Sequence, residues 1–566
     1  MFLLSDLVSL DLSNNRLSMP QHGFNKLLQN LTKLRYLHLE TVGMSTVSTG
    51  SLVNLSSSLI SLNLRLTGVQ GKFPSEIFLF PFLQRLILSA NEHITGNLPE
   101  FNKCSPLKVL DLSNCNFQGS LPSSLGNLTE ITCMDLSWNS FTGQVPTSLS
   151  KLVQLTGLSL THNNFSGKFP NVLGNLSKLE TLDLSVNIFS GQLPTSIFNV
   201  NGLRYLDFSY NQFKGEFPSQ ISGLPYLGDI KLNNNLLGGR VPAWLFTLPS
   251  LESLDLSHNK LTGPMEQFQH PGPISKVYLR DNMIHGPIPD SIFQLLGLVQ
   301  LSLANNNFSG NVQVEMLSEL KNLTHIDLSY NALLSVTGKV ILPQLNEVFL
   351  SSCSLTAVPL FLGSVSYLNL DLSNNSIYGR ISQLALGNCS NLSYLNLSHN
   401  LLTSVEYISS MVNPEILDLS SNLLRGQLVD LPSSLTFFSA SNNDLTGVIP
   451  PSFCNGSRVQ SLDLSYNGLS GNIPECLVKS NAQFEFLNLA MNNFHGSIES
   501  LTFPNQCDVT ALMLNDNQLE GPLPSSLVNC QGLDILDVGN NRINDSFPNC
   551  FMVPLAIPAQ DFSSLG

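Results

Sequence analysis

The sequence predicts an α/β repeat solenoid, a right-handed superhelix or horseshoe with a parallel β-sheet on its concave face and short 3-10 or helical turns on its convex face. Three observations predict it. An asparagine returns every 24 residues at Asn139, Asn163, Asn187, Asn211, Asn235 and Asn259, each closing a phrase such as LDLSVN, LDFSYN or LDLSHN. A second phrase follows in most repeats, as in FTGQVP (141–146), FSGKFP (165–170), FSGQLP (189–194) and LSGNIP (469–474). Charged residues make up only 12% of the chain, about half the usual soluble fraction, so Asn and Ser supply most of the polarity.

Extending the frame LxxLxLxxN outward puts the closing position at 15, 42, 67, 91 and 115, then every 24 residues to 259, then at 282, 306, 331, 353, 375, 400, 422, 443, 467, 492, 517 and 541. These are 23 leucine-rich repeats, covering residues 1–551 and leaving a non-repeat tail at 552–566. Nineteen of the 23 close on Asn, and the exceptions are Val42, Thr67, Cys115 and Cys353. Cys is an ordinary substitute at this position, whereas Val42 and Thr67 mark an irregular start. A chain of 566 residues would ordinarily suggest several globular domains. An uninterrupted period overrides that prior, because each repeat buries its core only against its neighbours, so one elongated domain without linkers is expected.

The physics of one repeat explains its residue types. In Leu182-Asp183-Leu184 the side chains alternate inward and outward, as on a strand, so Leu builds the core and Asp faces solvent. The chain must then turn sharply, and buried backbone groups lose their ladder partners. A small amide with both donor and acceptor satisfies them, which makes the closing Asn structural. In the second phrase Phe or Leu fills the core, Gly permits the bend, and Pro limits ladder pairing on the convex side. Helical stretches such as 122–128 (PSSLGNL) return the chain to the next strand.

The motif LxxLxLSxNxFSGxLPxSLGNLxxL resembles the plant-specific class of leucine-rich repeats. Within that class, LLQNLTKLRYLHLE (27–40) and the junctions Asn127-Leu128-Thr129 and Asn175-Leu176-Ser177 are similar to those of plant cell-surface receptor-like proteins of the disease-resistance type. The resemblance implies an ectodomain at the plasma membrane, and recognition of an extracellular peptide, protein or oligosaccharide in defence signalling. It also implies recruitment of a receptor kinase as adaptor or co-receptor, because such relatives lack a kinase of their own. Family members begin with a signal peptide and a cysteine-paired cap and continue into an island, further repeats and one transmembrane helix. Met1-Phe2-Leu3-Leu4 enters the first strand almost at once, and the register is lost after Phe551, so an ectodomain fragment is expected. Two alternatives from other classes are a secreted inhibitor of microbial wall-degrading enzymes and a truncated decoy. The inhibitors have about ten repeats, so 23 favours the receptor.

Composition narrows the partners. A net charge of −14 argues against a nucleic-acid backbone or an anionic membrane surface. The richest apolar run, IFLFPFL (77–83), is too short to cross a bilayer and contains Pro81. No GxSxG elbow, HExxH, P-loop or kinase motif set is present, and Leu279-Arg280-Asp281 occupies the strand phase of a repeat. Catalysis, a metal and a cofactor are therefore not expected.

Thirteen N-x-S/T sequons occur, at Asn30, Asn54, Asn127, Asn164, Asn175, Asn307, Asn322, Asn374, Asn388, Asn391, Asn396, Asn455 and Asn544. Asn127, Asn175 and Asn322 share one place just before the strand, where a glycan would stand on the edge or convex side. Of the ten Cys, Cys115 and Cys353 are expected in the core. Bridges between coils are open for Cys454 with Cys476 and for Cys530 with Cys550, pairs 22 and 20 residues apart.

Function should lie on the outward strand positions, which stack into a sheet roughly 110 Å long, taking 23 strands at about 4.8 Å. The position between the two core Leu is Asp in 11 of 23 repeats, a scaffold default, so departures from it are more informative. They concentrate in LGDIKLNNN (227–235) and ISKVYLRDN (274–282), where Asp229, Lys231, Lys276, Tyr278, Arg280 and Asp281 face outward. Trp138, His162, Tyr210 and His258 share the phase just before the closing Asn, with Tyr205 beside them, so rings line one edge of that face. Trp, Tyr and Arg are enriched in interface hot spots, and these eleven residues are the candidate ligand-binding set. The competing explanation is a solvated strand face, since Tyr330 and Tyr466 show the same habit.

Overall fold

A computed structural model of the chain describes residues 4–101, 105–340, 342, 344–364, 368–381, 392–405, 414–454, 458–478 and 484–544. The sequons Asn388, Asn391 and Asn455 and the tail 552–566 lie outside the described residues. The chain divides into two compact units, Met1–Phe308 and Ser309–Gly566.

In the first unit, three-residue strands from Ser9–Asp11 and Tyr36–His38 to Lys276–Tyr278 and Gln300–Ser302 form a parallel ladder. Register places equal repeat positions side by side, as in Leu158 beside Leu182 and Leu182 beside Leu206. The second unit repeats the plan from His325–Asp327 to Ile535–Asp537. After each ladder strand most coils add a second one, such as Asn164–Lys168, Ile188–Gly191 and Gln212–Gly215. The bend at its end needs glycine: Gly191 has φ +86°, and an added Cβ would lie 2.8 Å from Lys168 Cγ. A 3-10 turn then closes the coil, as at Ser123–Asn127, Thr147–Lys151 and Thr195–Asn199, each entered through a proline. The irregular start carries a true helix instead, Gln21–Asn30, which buries Phe24, Leu27 and Leu28 at the spacing of one helix face.

Two devices hold successive coils together. The first is a column of fully buried rings, Phe117, Phe141, Phe165, Phe189 and Phe213, with centroids 6.3, 6.0, 5.9 and 6.1 Å apart. The second is the closing Asn. Asn187 Nδ2 donates to the carbonyls of Leu184 and Ser185 at 3.2 and 3.0 Å and to that of Leu160, one coil earlier, at 2.9 Å. Its Oδ1 accepts the Phe165 N–H at 3.0 Å. Asn139, Asn163, Asn211, Asn235 and Asn259 repeat the pattern. At Thr67 the hydroxyl donates to Leu64 O at 2.8 Å, while the Thr67 N–H reaches Asn91 Oδ1 at 3.1 Å. Cys115 and Cys353 are buried as expected and point their thiols at the carbonyls of Leu88 and Leu328; burial pushes both up to about 12.

Cys530 settles one of the pairings left open by the sequence. It is bonded to Cys507 and not to Cys550. The two residues precede their strands at nearly the same phase of consecutive coils, which brings their Cα atoms to 4.6 Å. Cys476 is also disulfide-bonded, and the side chain of Cys454 lies outside the described residues.

Candidate ligand-binding surface

The outward Asp of LDLS explains its own frequency. Asp183 Oδ1 accepts both the backbone N–H and the hydroxyl of Ser185, at 2.9 and 2.6 Å, and Asp207 does the same with Ser209. Asp therefore brackets the turn into the closing Asn. Stacking these carboxylates has a consequence: burial raises Asp183 above its ordinary 3.8, against the hydrogen bonds from Ser185 and the charge of Lys231, and Asp207 adds to the rise. A carboxyl whose folded pKa is raised loses stability as pH climbs from the unfolded value through the folded one. Asp183→Asn is thus expected to gain on the parent protein between pH 3 and pH 7. Urea midpoints that differ by the same amount at both pH values would contradict this.

All the candidate residues lie in the first unit. Register aligns Tyr205, Asp229, Ser253, Lys276 and Gln300 in one row, and Asp207, Lys231, Asp255, Tyr278 and Ser302 in the next. Lys231 Nζ lies 3.3 Å from Tyr205 Oη, 4.0 Å from Asp207 Oδ2 and 5.3 Å from the Tyr205 ring centroid. Tyr205 Oη in turn donates to Asp207 at 3.0 Å. Burial, then the neighbouring carboxylate of Asp207, push the Tyr205 phenol above its usual range, so it remains a donor at neutral pH. Tyr278 donates its hydroxyl to Gln300. Asp281 collects His258 Nε2 at 3.2 Å, Arg280 Nε at 3.7 Å and Asn305 Nδ2 at 2.7 Å.

Trp138 and His162 stack with centroids 3.6 Å apart and planes 12° from parallel, and Thr161 Oγ1 holds His162 Nδ1 at 3.0 Å. Trp138 remains 54% exposed, which leaves a flat aromatic shelf at the edge of the ladder. Tyr210 is 55% exposed, and its hydroxyl makes no hydrogen bond among the described residues. Asp229 and Lys276 likewise have no side-chain hydrogen bond or ion pair there.

The phase shared by Trp138, His162, Tyr210 and His258 has a backbone origin. Each has φ near +52°, as do Val186 and Asp281 at +50° and +57°. Bulky residues in this region are strained, and Asn234 and Asn305 are the relaxed choice at the same position.

The structure thus gathers eight of the eleven candidates into three clusters, Trp138 with His162, Tyr205 with Lys231, and His258 with Arg280 and Asp281 beside Tyr278, and leaves Tyr210, Asp229 and Lys276 outside them. Sequence reasoning missed Asp207, Gln300 and Asn305, which complete them. Asp207 is one of the eleven scaffold acids by its repeat position, and the cation one coil later, Lys231, is the sequence signal that it does more.

The sequons divide by burial. Asn30, Asn54, Asn164, Asn175, Asn307, Asn322, Asn374 and Asn544 are exposed. Asn127 is half-buried and donates to Phe101 O at 2.8 Å, and Asn396 stands on the ladder itself, its Oδ1 accepting from Ser398. Among the described residues no group of three His, Cys, Asp or Glu side chains is placed to hold a metal, and no helix is long and apolar enough to cross a membrane.

Coil, closing Asn and outward sheet face together define a leucine-rich repeat protein. Residues 92–263 match the family model described as leucine-rich repeat region, and residues 6–27, 434–455 and 458–480 match that of the leucine-rich repeat. Arabidopsis thaliana Receptor-like protein 35 is 36% identical over 241 residues, 41% of this chain and 24% of the relative. Receptor-like protein 54 of the same plant is 37% identical over 233 residues, 40% of this chain and 28% of the relative. By these matches the chain is a leucine-rich repeat solenoid similar to plant receptor-like proteins over about two fifths of its length, and the aligned part spans about a quarter of theirs.

Solved structures agree. The plant peptide hormone receptor RGFR1 in complex with RGF2 superposes with a TM-score of 0.72 at 26% identity, covering 95% of this chain and 87% of that one. The complex of PEPR1 with AtPEP1 gives 0.72 at 28% identity, covering 96% and 73%.

Proposed function

We propose that this chain recognises an extracellular ligand as part of a plant cell-surface receptor-like protein acting in defence, and that it signals through partner receptor kinases. The reading rests on one observation above all. Within a scaffold that places Asp between the two core Leu in 11 of 23 repeats, one stretch of the first unit concentrates Tyr205, Lys231, Tyr278 and Arg280 on or just beyond nearby strands. Ring, cation and acid side by side suit the backbone and side chains of a peptide or protein better than any reaction. One structural neighbour is a plant peptide hormone receptor, RGFR1, solved with RGF2, and another, the receptor kinase HAESA, was solved with both the peptide hormone IDA and the co-receptor SERK1. The exposed sequons fit a glycosylated extracellular face.

Tyr278→Ala combined with Arg280→Ala should leave folding intact and weaken capture of the native ligand about ten-fold, the loss of one hot-spot pair. Binding of that ligand by purified ectodomain, measured by calorimetry, checks it. Unchanged affinity would remove this face from recognition.

A further inference from the structure

The second unit carries an outward row unlike the first. Register joins Tyr394, Ile416, Phe437, Ser461, Phe486, Ala511 and Ile535 on seven consecutive ladder strands. The same repeat position in the first unit reads Cys133, Gly157, Thr181, Tyr205, Asp229 and Ser253. Five of the seven are thus large apolar or aromatic side chains where the scaffold ordinarily places small or polar ones. Tyr394, Ile416, Phe437 and Phe486 are half-buried, Ile535 is 51% exposed, and Tyr466 at the edge is 57% exposed. Tyr394, Ile416 and Phe437 are consecutive, and Ser461 and Ala511 alone space out Phe486 and Ile535; an apolar lane of this kind on a solvent face marks an interaction site more often than scattered apolar residues do.

Charge decides what it takes. These strands carry Asp418, Asp463 and Asp537 outward, and Glu415, Glu485 and Asp534 stand immediately before three of them, with no Lys or Arg at either position. Glu415, Glu485 and Asp534 are exposed and make no ion pair among the described residues. The lane of the first unit is different, since Arg85, Lys231, Lys276 and Arg280 all face outward there.

We infer that this face docks an extended peptide segment, of a ligand or partner protein, that alternates basic with apolar side chains. The inference rests on the ligand-recognition reading and adds the chemistry and place of a second contact. Seven strands at ~4.8 Å span about 29 Å, which an extended segment of about nine residues covers at ~3.3 Å each. Its apolar side chains would cover the lane and its cations would meet the flanking carboxylates, whose attraction governs encounter and register.

The test is fluorescence anisotropy of the full chain with a labelled ten-residue peptide alternating Lys with Phe and Leu. That peptide should bind. A version with Glu for Lys, and one with Ser for Phe and Leu, should each bind at least ten-fold more weakly. Phe437→Ser with Phe486→Ser should cost ten-fold in affinity, and the milder Glu415→Gln with Glu485→Gln several-fold, each at an unchanged thermal midpoint. Equal binding of either control peptide would overturn the inference, as would native affinity in the Glu415→Gln, Glu485→Gln variant. Tyr278→Ala with Arg280→Ala should leave this peptide's affinity unchanged. A loss there instead would move the contact to the first unit, overturning the second-unit surface while sparing the recognition reading.

Discussion

Asn187→Ala should lower the stability of the first unit by about 3 kcal/mol. Asn187 is 7% exposed, and its truncation takes the Oδ1 acceptor from the Phe165 N–H and one of two donors from the carbonyls of Leu160, Leu184 and Ser185, which keep Asn163 Nδ2, Asn211 Nδ2 and the His162 N–H. A buried N–H left unsatisfied costs roughly 1–3 kcal/mol, and each hydrogen bond lost from a carbonyl that keeps another donor adds about 0.5 kcal/mol. The loss falls on two coils at once, because two of the four partners belong to the preceding repeat. Asn15→Ala is the control. Asn15 is exposed and donates only to Leu12 and Ser13 of its own coil, so a change of under about 1 kcal/mol is expected. Urea denaturation followed by far-ultraviolet circular dichroism separates the two, and equal midpoints for both variants would remove the clamp role assigned to the closing Asn.

Phe165→Ala should be at least as damaging, at about 4 kcal/mol. The ring is fully buried and stacks on Phe141 at 6.0 Å and Phe189 at 5.9 Å, so truncation opens a cavity in the middle of the column. Burying a phenyl group and then deleting it typically costs 3–5 kcal/mol, depending on how far the walls relax. Here they relax little, since both neighbours are held by the hydrogen bonds of successive closing Asn residues. Phe165→Leu should recover more than half the loss, because Leu469 fills the same repeat position fully buried. Adding Phe189→Ala to Phe165→Ala should be non-additive, the two rings sharing one contact. A thermal and urea series on the four proteins decides the matter: a Phe165→Ala loss within 1 kcal/mol would mean that the column is packing filler.

Much of this was legible in the chain. The frame LxxLxLxxN assigned every described ladder strand, and the amide reasoning at the closing Asn matched the hydrogen bonds found. The candidate set was legible as a list and illegible as an arrangement. Nothing in the phrase LSWN says that Trp138 lies flat on His162, since that contact joins residues 24 apart through equal phase and a shared positive φ. Nor does the spacing of Lys231 from Asp207 announce an interaction, because one outward row must first be placed against another. The partner of Cys530 was illegible for a related reason. Distances of 20 and 23 residues look alike in a chain of 24-residue coils, and only the path of the loops decides which sulfurs meet.

The repeat, its core and the outward direction of each side chain followed from local rules, namely alternation on a strand, glycine at a bend and an amide for orphaned backbone groups. Those rules act within one coil and need no knowledge of the next. Which outward residues become neighbours, which acids are compensated and which stay free, and where the apolar lane of the second unit runs were decided by stacking. Stacking brings residues about 24 apart to within one strand spacing, where ring contact, charge and burial first take effect.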